Sequence, residues 1–332
     1  MNINISTMKN SVSYSSWIPN RPISKGAAAY HRAVVNASWH KKNISELIRI
    51  IRPKIKSGDV VVDFGAGTGA SAIYFLQAFK SVCQFLLVDN SPSWLAKAYR
   101  LLHYRENVSF LLLEKKKNRY AFLDELIGKE HADHVVSANT VHLIPNIEET
   151  FAGIKRSLKL EGTFTFQSGN ILSTKREPGI LMIEDSINQI HNLAIGIIRH
   201  EEAYARYRNN LAIKIKEAQV QRRFVFPNPR PIGFYVRALK TAGFGKPVIV
   251  TSYIQVTYKD WLAFVRVRRL QAGILPEVGG KNPTLREERD RDRIITDATH
   301  QFFVHVQKEN KLATKKSFTA QWIYVQAQKL SA

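Results

Sequence analysis

Between residues 60 and 168 short apolar runs alternate with stretches whose apolar positions recur every three to four residues. The runs are "VVVDF" (60–64), "QFLLVD" (84–89), "VSFLLLE" (108–114), "HVVSAN" (134–139) and "GTFTFQS" (162–168). The intervening stretches predict helices over 70–80, 92–104, 118–127 and 146–159. Near-continuous apolar strands separated by amphipathic helices imply a parallel sheet covered on both faces. Upstream, Ala27–Ile51 has helical spacing with Val34, Trp39, Ile44, Leu47 and Ile51 turned inward, and Pro53 and "KSGD" end it.

Past Asn170 the rhythm breaks. Residues 172–228 are mostly helical in pattern, rich in charge, and close on "FPNPRP". An amphipathic helix (232–244), a strand (246–256), a helical stretch (258–310) and a final strand, "FTAQWIYVQAQK", follow. The chain therefore divides into an N-terminal helical and aromatic segment (1–56), a core (57–171), a helical insertion (172–228) and a remainder carrying the last strands (229–332).

Composition narrows the class. The hydrophobic fraction of 45% in 332 residues is that of a globular protein. No apolar run reaches the ~18 residues that span a bilayer, and the polar N-terminus has no signal-like apolar core, so a cytoplasmic location is expected. Cys83 is the only thiol; it excludes an intramolecular disulfide and a thiolate metal cluster, and no metal is expected. The net charge of +22 is the main anomaly, and residues 1–56 hold ten Lys/Arg against Glu46 alone. Such a field attracts polyanions. A nucleic-acid partner is consistent with it but is not favoured by the rest of the chain, and the oligomeric state is not legible.

The most informative stretch is "VVVDFGAGTGASAIYF" (60–75). Glycines at 65, 67 and 69 permit positive φ and a close ligand approach, and the turn aims a helix N-terminus at what binds. The register is G-x-G-x-G rather than the dinucleotide G-x-G-x-x-G. Asp63, two residues before the first glycine, would repel a pyrophosphate and welcome an ammonium or sulfonium. Asp89, ending the next strand, can accept both hydroxyls of a ribose, a role that suits either kind of nucleotide.

"VVVDFGAGTG", "LLVDNSPSWLAKA" and "IKRSLKLEGTFTF" resemble motifs I and II and the fifth-strand motif of class I S-adenosylmethionine-dependent methyltransferases, nearest the small-molecule branch that includes ubiquinone and menaquinone C-methyltransferases. The resemblance covers about 44–167. It implies a doubly wound, Rossmann-like, mainly parallel seven-stranded α/β sheet with an antiparallel last strand, an N-terminal helical lid and a helical cap insertion. It also implies S-adenosylmethionine as cofactor and S-adenosylhomocysteine as product. Gly65, Ala66, Gly67 and Gly69 would line the methionine part, with Asp63 on its amino group and Asp89 on the ribose. Asn90 and Ser91 would flank the adenine, Glu114 stands where an acidic adenine contact is usual, and Asn139 and Thr140 would contact cofactor through the backbone.

For the acceptor, "NTVH" (139–142) replaces the tetrad of amine methylation on bases or glutamine, and Cys83 lies on the wrong strand for cytosine-C5 chemistry. His142 is the one titratable group at the end of the fourth strand, as a base or, preferably, a pocket-shaping residue. Tyr14, Trp17 and Tyr30, with Trp39 and His31 nearby, are lid candidates. Arg199, His200, Tyr204, Arg206 and Tyr207 of the insertion are candidates to enclose a flat or anionic substrate. The function expected is methyl transfer by in-line displacement to a small aromatic, polyketide- or quinone-like molecule. The alternative is transfer to RNA or another polyanion through the basic surface.

Overall fold

The computed structural model describes residues 16–20, 22–80, 83–173, 175–309 and 316–331. Five parallel strands form its centre: β1 (Val60–Phe64), β2 (Gln84–Asp89), β3 (Val108–Leu112), β4 (Ala132–Ala138) and β5 (Leu158–Ser168). Two later strands, β6 (Val248–Thr257) and β7 (Ser317–Gln328), complete the order β3-β2-β1-β4-β5-β7-β6. β7 runs antiparallel to both β5 and β6. A two-residue strand, Ile180–Leu181, pairs with Thr319–Ala320 beyond the reach of β5 and makes an eighth member that the sequence pattern does not announce. The strand order reverses between β1 and β4, so their carboxyl ends flank the crevice in which open α/β sheets bind ligands.

Helices α1 (Lys25–Val35), α2 (Ser38–Ile51), α3 (Ala70–Phe79) and α4 (Pro92–Leu102) cover one face of the sheet. Helices α5 (Leu123–Ile127) and α6 (Ile147–Ser157) lie on the other. The insertion contributes α7 (Ile183–His200), a 3-10 turn (Glu202–Tyr207) and α8 (Leu211–Val225) to the first face. There they join α10 (Tyr258–Val265), α11 (Arg268–Ile274) and α12 (Leu285–Glu309), whereas α9 (Ile232–Thr241) returns to the α6 side.

Three expectations change. The helix over Ala27–Ile51 is two helices broken at Asn36–Ala37. Tyr74 O–H donates to Val35 O at 2.6 Å and the Ser38 N–H donates to Asp260 Oδ2 at 2.9 Å, so side chains satisfy the backbone groups the break exposes. The helix over 118–127 is instead a small hairpin (Lys115–Lys116 with Arg119–Tyr120) followed by α5. Its Arg119 binds Glu125 at 2.6 Å and lies 4.1 Å over Phe122, contacts that outweigh the helical spacing. The stretch expected as helical over 258–310 holds three helices: α10 gives way to α11 at Arg266–Val267, and Pro276, Gly279, Gly280 and Pro283, with Gly279 at φ +78°, separate α11 from α12.

Trp322 on β7 ties these layers together. It is 1% exposed, stacks on Trp39 with centroids 5.8 Å apart, and its indole N–H donates to Asn139 Oδ1 at 3.3 Å. Trp322→Ala should lower stability by about 3–5 kcal/mol in denaturant unfolding, whereas Trp322→Phe, which keeps a stacking ring, should cost less than half of that. Equal losses would mean that the stack contributes little.

Candidate active site

The glycine turn is held by backbone and side-chain hydrogen bonds together. Gly65 and Ala66 N–H both donate to Val88 O, at 2.8 and 3.0 Å, binding the turn to the end of β2. Gly65, Gly67 and Gly69 all have positive φ. At Gly65 a Cβ would lie 2.3 Å from the Thr140 methyl, so only glycine lets the end of β4 approach this closely. Thr140 O–H lies within hydrogen-bond distance of Gly65 O, at 3.2 Å, and Ala138 O, at 3.1 Å.

Both expected acids lie at this turn. Asp89 Oδ2 accepts from Gly67 N–H and Oδ1 from Ser91 N–H, each at 2.8 Å. Burial raises its pKa, opposed by hydrogen bonds from Ser91, Gly67 and Asn90 and by the charge of Arg269. Asp63 is 1% exposed and its Oδ2 has no hydrogen-bond partner. Burial, reinforced by the negative charge of Asp89, pushes its pKa up to about 7.

These observations fit the cofactor. An orphaned buried carboxylate oxygen is matched by an ammonium group, and the cradle at Gly65 is one a Cβ would fill. Asp63 would hold the amino group, Gly65, Ala66 and Gly67 the methionine part, and Asp89 the ribose. Asn90 and Glu114 are exposed, the latter just beyond β3. Asn139 adopts φ +51° and its N–H donates to Gln167 O at 3.0 Å, which holds the chain end of β4 against β5.

Four residues at this turn carry no motif signal as ligands. The Trp94 ring lies 3.4 Å from where a Gly67 Cβ would stand; Tyr30 packs on that ring at 4.7 Å, and the Arg269 guanidinium sits 5.1 Å over it. His31 Nδ1 lies 3.1 Å from Thr68 Oγ1 within the turn, and burial lowers its pKa to about 4, with Lys97 adding to the effect. Trp94 was accessible in principle, five residues after Asp89 in the first turns of α4; Arg269 comes from a distant helix and was not.

At the opposite side His142 is half-buried, with Nδ1 3.0 Å from Ser168 Oγ. That hydroxyl also accepts from Asn170 N–H at 2.9 Å. Burial, with the nearby charge of Arg230, lowers the His142 pKa to about 4. Among the lid candidates, Tyr30 reaches the turn through Trp94. The Trp17 N–H donates to Phe110 O at 2.7 Å, placing this residue along the edge strand β3, and Tyr14 lies outside the described residues. The insertion candidates have other partners. Tyr204 and Tyr207 are buried, Tyr207 O–H donates to Asp290 Oδ2 at 2.6 Å, and Arg206 pairs with the same carboxylate. Arg199, in the last turn of α7, borders a cleft with Arg208 and Leu211. It stands about 24 Å along that helix from Ile183, whose N–H donates to Gly169 O at the end of β5.

Residues 62–164 match the family model described as a methyltransferase domain. No curated protein matches the chain by sequence. Among solved structures the chain is similar to the YcgJ protein of Bacillus subtilis, at 14% identity and a TM-score of 0.50 over 88% of this chain and 100% of that one. It is also similar to Haemonchus contortus phosphoethanolamine N-methyltransferase 2 in complex with S-adenosyl-L-methionine, at 17% identity and a TM-score of 0.49, over 92% of this chain and 57% of that one. The structural likenesses speak to fold alone.

The close approach at Gly65 gives a direct test. Gly65→Ala adds a left-handed strain of about 1–2 kcal/mol to the clash with Thr140 and should weaken S-adenosylhomocysteine binding at least tenfold by calorimetry. Undiminished affinity would remove the turn from the site.

Proposed function

We propose that the chain is a class I S-adenosylmethionine-dependent methyltransferase, in keeping with the methyltransferase-domain match over residues 62–164, and that it methylates a small molecule held between the glycine turn and His142. Bound at the turn, the cofactor supplies a methyl group already activated by the sulfonium. The protein's share is then to hold a nucleophile in line, a positioning effect that can contribute about 7–11 kcal/mol.

The observation that carries this reading is the helical cover at the carboxyl end of β5. The first turn of α7 packs so tightly there that a Cβ on Gly169 would meet Ile183 at 2.7 Å and Trp322 at 3.0 Å. Trp322 reaches on to Asn139, immediately before Thr140. A helical cover bound to the strand ends favours an enclosed acceptor over a polymer threading an open groove. The charge of +22 supports a second reading, transfer to RNA or another polyanion, and the same experiment separates the two.

Within this reading His142 orients the acceptor rather than removing its proton. A base whose conjugate acid sits near 4 drives proton transfer poorly at neutral pH, and Ser168 already faces its Nδ1. No helix among the described residues is long and apolar enough to cross a membrane.

With methyl-labelled cofactor and extract divided into macromolecular and small-molecule fractions, label should appear in the small-molecule fraction. Label confined to RNA or protein would overturn the reading. Once the acceptor is in hand, His142→Gln should lower kcat less than about tenfold, against the ~10²–10⁴-fold expected on loss of a general base.

A further inference from the structure

The end of β5 gathers polar atoms that the cofactor does not use. Asn170 Nδ2 donates to Pro227 O at 3.1 Å, but its Oδ1 has no partner although the residue is 6% exposed. Gln321 is 2% exposed, and both its amide oxygen and nitrogen lack partners. It stands two residues before Ile323, whose register partner is Ser168, and so shares a face of the sheet with the His142–Ser168 pair. The Tyr235 hydroxyl is buried without a partner, and its ring lies 5.8 Å from that of Phe166, two residues before Ser168. Buried polar groups are nearly always satisfied, so several orphans at one strand end ask for a ligand that satisfies them.

Arg230 gives that ligand its charge. Its backbone pairs with Ile171, next to Asn170, which brings the half-buried side chain to the same end of β5. Nη1 donates to Ile144 O at 2.9 Å and the guanidinium lies 4.9 Å over Phe234. Among the described residues no carboxylate comes within ion-pair distance of it. The contrast with its neighbours is direct: Arg223 pairs with Glu184 and Arg206 with Asp290. Its field reaches both neighbours: it adds to the burial that lowers the His142 pKa, and it opposes the burial that raises that of Tyr235 to about 12. A partly desolvated guanidinium without a counter-ion is costly unless an anion completes it.

We propose that the acceptor is an anion, a carboxylate or a comparably planar enolate or phenolate, that seats on Arg230 while Asn170, Gln321 and Tyr235 hydrogen-bond its polar edge. This deepens the reading above, resting on its placement of the acceptor beside His142, and assigns charge selectivity to a residue outside the methyltransferase motifs. The planar fork of arginine matches a two-oxygen anion bidentately, which an ammonium does not.

The test uses 4-fluorobenzoate and its neutral counterpart 4-fluorobenzamide as probes, followed by fluorine NMR on the full chain saturated with S-adenosylhomocysteine. The benzoate should bind at least about tenfold more tightly than the benzamide. Arg230→Gln should erase that preference while S-adenosylhomocysteine affinity stays within about twofold, and Arg230→Lys should retain part of it. Equal binding of the two probes, binding of neither, or a preference that survives in Arg230→Gln overturns the proposal. Failure of S-adenosylhomocysteine itself to bind would instead remove the methyltransferase reading; the probe ratio, measured then on the unliganded chain, still decides the role of Arg230.

Discussion

A carboxyl group that the fold buries and does not satisfy sets the terms for everything around it. Asp63 ends the central strand β1, 1% exposed, with Oδ2 unpartnered. The N–H groups of the adjoining turn are already committed: those of Gly65 and Ala66 go to Val88 O and that of Gly67 to Asp89. Thr140 packs against this turn on one side and Trp94 on the other. Asp63 therefore binds its proton more tightly folded than unfolded. The sign of the linkage follows: without a cation beside it, stability falls as pH rises from the ordinary aspartate range toward the folded value of about 7. An ammonium delivered by the cofactor reverses that loss, which couples binding to the charge state of one buried acid.

The two halves of the site are built differently. The proposed cofactor half joins a glycine turn, bound to the end of β2 by backbone hydrogen bonds, to the carboxylates of Asp63 and Asp89. The proposed acceptor half is side chains from separate stretches of chain: His142 after β4, Ser168 and Asn170 at β5, Arg230 and Tyr235 beyond the insertion, and Gln321 on β7.

That division also explains what could be read from the sequence. The sheet, the turn, Asp63 and Asp89 were legible because apolar periodicity and glycine spacing are local properties. The break at Asn36–Ala37 was not, because it depends on Tyr74 and Asp260. Tyr204 and Tyr207 are aromatic and lie in the insertion, yet their contacts are with α12; composition cannot report direction. Arg230 sat in plain view within "FPNPRP", and only the pairing of its backbone with Ile171 shows which residues it stands beside.

The decisive event is the loss of a proton from Asp63 as the cofactor site fills. Calorimetry of S-adenosylhomocysteine binding in buffers of different ionisation enthalpy measures this. With a folded value near 7, about half a proton should be released per molecule bound at pH 7, falling toward zero one to two pH units higher. The release should vanish in Asp63→Asn, along with much of the affinity. Binding without proton release, or release unchanged in Asp63→Asn, would contradict the assignment of Asp63 as the seat of the cofactor's ammonium group.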